Sequence, residues 1–132
     1  FRILDKLGME ANEIATICSA IGNHDESTAF PVNAVAAALI LADKTDVRRT
    51  RVRNRDKASF DIHDRVNYAV EKAATTLDAQ EKAVVLTLTL DTEMSAVMDY
   101  FEIFLDRMLL CRKAAEKLGL SFRLVVNGQT VL

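Results

Sequence analysis

His24 offers an imidazole nitrogen and Asp43 a carboxylate oxygen, the donor types that a divalent transition metal accepts. Just beyond Asp43, five arginines crowd into residues 48–55: Arg48, Arg49, Arg51, Arg53 and Arg55. Guanidinium groups grip phosphate bidentately, so a metal beside such a cluster would suit attack of activated water on a phosphate ester. Arg48 and Arg49 stand nearest Asp43 in sequence and are the expected phosphate contacts. The remaining arginines read as a solvated connector paired with Asp43, Asp46 and Asp56. Two ligands are fewer than a metal site requires. On spacing alone, a surface histidine and a salt-bridged aspartate describe His24 and Asp43 more often than a metal centre does.

The elements that must position these groups are helical. Ile14, Ile17, Cys18 and Ile21 recur at helical spacing, so this segment buries one face and presents Asn23, His24 and Asp25 at its exit. A turn is expected over Glu26–Pro31. Asn33 is then placed to cap a helix over Ala34–Lys44, a run so rich in alanine that it should be nearly surrounded by protein. Asp43 sits in its last turn, where the helix macrodipole repels a carboxylate, so it calls for a cation.

The stretches AIGNHDE (20–26) and AAALILADKTDVRRTRVR (36–53) resemble the later part of the HD-superfamily metal-dependent phosphohydrolases, with the likeness covering about residues 9–53. In that all-helical fold a histidine, a downstream His-Asp doublet and a later aspartate in an Ala-Asp helix hold a divalent metal. By this resemblance Ala42-Asp43 corresponds to the last motif and His24 to an extra histidine that some members place before it. His24-Asp25 is not the doublet, because it lies too close to Asp43. The first histidine and the true doublet are expected upstream of Phe1, with Phe1, Ile3, Leu4 and Leu7 read as the tail of a helix ended by Gly8. A divalent metal is accordingly expected only in the full-length protein. His63-Asp64 reads instead as a polar entry to a strand. The stretches DIHDRVNYAV (61–70) and DTEMSAVMDYFEIFLDRMLLCRKAA (91–115) also resemble the C-terminal extension of bacterial HD-type phosphohydrolases.

From about Asp61 the periodicity changes, which predicts an α+β chain: a helical segment over residues 1–60 and a β-β-α-β-β unit over 61–132. Val66, Tyr68 and Val70 alternate as a first strand. Val84, Leu86, Leu88 and Leu90 alternate with Val85, Thr87 and Thr89 as a second. Asp91 or Thr92 is placed to cap a long helix whose buried stripe begins at Met94 and which Gly119 stops. Phe122, Leu124 and Val126 form a third strand, and Asn127-Gly128 predicts a tight hairpin into a fourth. One helix joining the second and third strands makes them parallel neighbours or near-neighbours through a right-handed crossover. The Thr87 and Thr89 face of the sheet is left uncovered, which predicts a homo-oligomer built through the sheet or its edges.

The chain has 132 residues, half of them hydrophobic, enough to bury a core. A net charge of −2, with no aromatic residues interleaved in the arginine cluster, makes nucleic acid an improbable partner. No stretch is apolar enough to span a bilayer. Cys18 and Cys111 lack a partner motif and read as free thiols in a reducing cytoplasm. Two functions follow. One is the C-terminal part of a phosphohydrolase acting on a phosphorylated small molecule or nucleotide, inactive as these residues alone. The alternative is a non-catalytic dimerisation or ligand-sensing module.

Overall fold

The computed structural model describes residues 1–25 and 28–132. Glu26 and Ser27, at the head of the expected turn over 26–31, lie outside the described residues. Among the described residues, five α-helices, α1 (Arg2–Lys6), α2 (Ala11–Gly22), α3 (Ala34–Lys44), α4 (Ile62–Ala69) and α5 (Val97–Lys117), accompany four strands: β1 (Val70–Asp78), β2 (Ala83–Leu90), β3 (Ser121–Val126) and β4 (Gln129–Thr130). Short 3-10 turns at Arg49–Arg51 and Lys57–Ser59 break the connector between α3 and α4.

The sheet runs β1-β2-β3-β4, mixed in direction. The outer pairs are antiparallel and the β2–β3 pair is parallel, as one helix joining them requires. Leu86, Leu88, Leu124 and Val126 are buried on one face, in a core shared with Met108, Cys111 and Ala115 of α5 and Ile40 and Leu41 of α3. Residues on both sides of position 60 thus contribute to a single core. Thr87 and Thr89 stay exposed on the reverse face, with Ala74 and Thr76 of β1 beside them.

Local signals explain most boundaries. The Asn33 side chain accepts the Ala36 N–H at 2.8 Å and starts α3. Gly119, at φ +72°, adopts the left-handed conformation that ends α5. Asn127 and Gly128 both have positive φ, as a two-residue primed turn between β3 and β4 demands.

Three expectations are corrected. Residues 62–69 form α4, not a strand: Asp61 caps it by accepting the Asp64 N–H at 2.8 Å, and Val66 and Ala69 are buried along one face. The alternation of Val66, Tyr68 and Val70 was too short to separate a period of two from a period of 3.6, and His63-Asp64 therefore opens a helix. The long helix begins at Val97, because the Asp91 side chain accepts the Glu93 N–H in a turn of its own. Its start is set by Asp99, whose carboxylate reaches back to the Ala96 N–H at 3.2 Å. Finally, α3 is not surrounded. It buries Ala36, Ala37, Ile40, Leu41 and Lys44, while Val35, Ala38 and Ala42 form an exposed apolar stripe.

Candidate functional site

The exit of α2 fixes His24. Its Nδ1 lies 2.6 Å from the Ile21 carbonyl oxygen. A carbonyl only accepts, so Nδ1 carries the proton, and in the ring's uncharged form the lone pair is left on Nε2. That is the arrangement a histidine adopts when its second nitrogen is to serve as a ligand.

Asp43, in the last turn of α3, is partly exposed, and its Oδ2 meets the Lys44 Nζ at 2.6 Å. Burial pushes the Asp43 carboxyl upward, yet the Lys44 hydrogen bond and the charges of Lys44, His24 and Arg107 together hold it below its ordinary value. The group is ionised at neutral pH. The cation that the helix end calls for is therefore present, chiefly as Lys44, and His24 is close enough to act on the same carboxylate.

Asp43 opens onto a cleft of about 450 Å³. Its walls carry Asp46 from the end of the α3 turn, Arg51, Val52 and Arg53 from the connector, Asp64 and Asn67 from α4, and Arg107 from α5. Three carboxylates face three guanidinium groups across it. Some of that charge is already matched. Asp46 accepts from Arg48 Nε at 2.8 Å and meets Arg51 Nη1 at 3.5 Å. The Arg48 hydrogen bond is the main reason the Asp46 carboxyl is lowered; burial opposes it, and the charges of Arg48 and Arg51 add to it. Asp64 accepts from Asn54 Nδ2 at 3.1 Å. Arg53 is exposed at the mouth.

Of the residues singled out in the sequence, Asp43 lines this cleft; His24 lies near enough for its charge to act on Asp43 but, like Arg48 and Arg49, is not part of the cleft wall. Arg48 turns to a separate hollow with Thr45, Ala73 and Thr75. Arg49 lies over the Tyr68 ring, 4.8 Å from its centroid, with Nη2 3.6 Å from Glu71 Oε1. That separation exceeds a hydrogen bond, and among the described residues neither Arg49 Nε nor Nη2, both buried, has a hydrogen-bond partner. The side chains facing Asp43 are Arg51, Arg53 and Arg107. Arg107 had a visible signal: it falls on the buried stripe of α5 between Phe104 and Cys111, where a charge needs a reason. It lies 4.8 Å from the centroid of the Phe104 ring and half-buried. Asp64 and Asn67 gave no such signal, because their position depends on how α4 docks.

Among the described residues, no three His, Cys, Asp or Glu side chains converge as a metal-binding group. His24 and Asp43 alone are fewer ligands than a divalent cation requires. Neither cysteine forms a disulfide among the described residues, Cys111 being buried and Cys18 half-buried, and no described helix is long and apolar enough to cross a membrane. Compared with protein-family models, with curated proteins and with solved structures, the chain has no match in any of the three.

Proposed function

We propose that the chain is the C-terminal part of an HD-type metal-dependent phosphohydrolase acting on a phosphate ester. His24 Nε2 and the Asp43 carboxylate would hold a divalent metal together with ligands from outside these residues. The metal, when bound, would supply activation of water and charge neutralisation at the phosphate. The observation that carries this reading is the cleft itself: an ionised Asp43, within electrostatic reach of His24, opens onto Arg51, Arg53 and Arg107.

Each side chain has a separate task. The Ile21 carbonyl fixes the imidazole tautomer. Lys44 pairs with the Asp43 carboxylate and would have to share it with a bound metal. Arg53, exposed in the cleft, and Arg107, backed by Phe104, would take the phosphate oxygens. Arg51 is partly committed to Asp46 and serves more as a brace than as a phosphate contact.

A phosphomonoester and nucleotide panel tests this reading in a longer form that carries the remaining ligands, with residues 1–132 assayed alongside. Expected are metal-dependent turnover in the longer form, its loss with Asp43→Ala, a raised KM with Arg53→Ala, and no turnover from residues 1–132. Turnover in the longer form that survives Asp43→Ala unchanged overturns the assignment, as does robust turnover by residues 1–132 alone.

A further inference from the structure

The outer edge of β1 is the long open edge of the sheet, since β4 at the other end spans only Gln129–Thr130. Such an edge presents a row of N–H and C=O groups to any strand of matching shape. Beside it, on the helix side, lies an apolar groove of about 490 Å³ lined by Ala38, Leu41, Ala42, Leu77, Leu118 and Leu120. Leu77 stands 75% exposed at its rim, and Val35, Ala38 and Ala42 continue the apolar surface along α3. Edge, groove and stripe form one continuous surface.

We infer that this surface binds a second copy of the chain, with β1 pairing antiparallel to its own equivalent about a twofold axis through Thr75. The choice of occupant and register comes from the strand's own residues. Across such an axis, paired residues must lie on the same face of the sheet, so the axis passes through a residue and not between two. Centred on Thr75, the pairing sets Lys72 opposite the second copy's Asp78 on the reverse face, twice by symmetry. On the helix face it sets Ala73 opposite the second copy's Leu77, beside the groove. Ala74 meets Thr76. Asp78 Oδ1 already accepts the N–H groups of Gln80 and Glu81, which holds this carboxylate in place at the strand end. A register centred on Ala74 would put Leu77 against Glu71, and one centred on Thr76 would carry Lys72 past the end of the strand. Opposite charges and apolar pairs both match in the Thr75 register alone. The two four-stranded sheets then join into one, a closed twofold assembly that leaves no long edge. The cleft at Asp43 lies outside the groove, so this inference stands independently of the proposed activity.

Sedimentation and cysteine crosslinking of the full chain test it. Expected are a dimer at high micromolar concentration and a monomer for Leu77→Lys with an unchanged circular dichroism spectrum. In a Cys18→Ser background, Thr75→Cys should give a disulfide-linked dimer on mild oxidation, because the two residues face each other across the axis. Thr76→Cys should not, since its two copies would stand about 8 Å apart, beyond disulfide reach. A monomeric wild-type chain overturns the proposal. So does a dimer in which Thr76→Cys crosslinks as fast as Thr75→Cys, a result that remains decisive if Leu77→Lys fails to fold.

Discussion

Replacing Asn127 by alanine should destabilise the fold by about 3 kcal/mol, from two separable causes. The Asn127 side chain holds the end of β2 with a matched pair of bonds. Its Oδ1 accepts the Leu90 N–H at 2.8 Å, and its Nδ2 donates to the Leu90 carbonyl at 3.1 Å. These are part-buried neutral hydrogen bonds, each contributing about 1 kcal/mol net. The backbone adds the second cause: Asn127 sits at φ +49°, a conformation that asparagine tolerates and that costs alanine about 1 kcal/mol more. Asn127→Gly separates the two, because glycine loses both side-chain bonds but takes positive φ freely. It should cost about 2 kcal/mol, with a few tenths more from chain entropy. For a domain of this size 1 kcal/mol moves Tm by about 4 °C, so calorimetry should place Asn127→Gly about 8 °C below the parent and Asn127→Ala about 12 °C below. Urea unfolding gives the same order independently. If alanine proves as stable as glycine at this position, the backbone cause is refuted. If glycine matches the parent, the bonds to Leu90 contribute nothing.

Three further outcomes are expected. Leu86→Ala, at a fully buried position, should cost about 2–5 kcal/mol in urea unfolding, whereas Thr87→Ala on the open face should cost less than about 1 kcal/mol. Lys82, at φ +48° in the turn before β2, should gain about 0.5 kcal/mol on replacement by glycine, read as a small rise in Tm. Because the Asp43 carboxyl is held below its ordinary value of 3.8, its ionised form stabilises the fold above that value, and this is lost as pH falls through the depressed one. Asp43→Asn should therefore be less stable than the parent at neutral pH, with the gap closing in acid; a gap that stays constant across the series would show that the charge is not the cause.

Elements whose signal is local were legible from residues alone. Asn33, Gly119 and the Asn127-Gly128 pair each dictate a backbone conformation, and from Val84 to Leu90 β2 declares itself by alternating buried and less buried side chains. The parallel β2–β3 pair followed from counting one helix between them. Elsewhere the deciding force is tertiary. At 62–69 a short alternation fitted two periods, and the Asp61 cap together with burial of Val66 and Ala69 decided for helix. Strand β1 hardly alternates at all, and its pairing with β2 defines it. At the site, closeness in sequence to Asp43 pointed to Arg48 and Arg49, but Asp46 and Tyr68 draw these side chains aside. Arg51, Arg53 and Arg107 reach the cleft through the path of the connector and the docking of α5, which no local pattern encodes.

The mixed direction of the sheet also dictates an order of assembly. Strands β1 and β2 are joined through residues 79–82, whereas β2 and β3 are joined through residues 91–120. Loop-closure entropy makes the second pairing about 2 kcal/mol harder to initiate than the first. Helix α5, with 21 residues spanning about 32 Å, offsets this by forming locally and carrying β3 back toward β2. Until β3 arrives, the hydrogen-bonding edge of the apolar strand AVVLTLTL stands unpaired beside a finished hairpin. The interval between hairpin closure and crossover is thus when the chain is most exposed to aggregation, and the strength of α5 as an isolated helix governs how long that interval lasts.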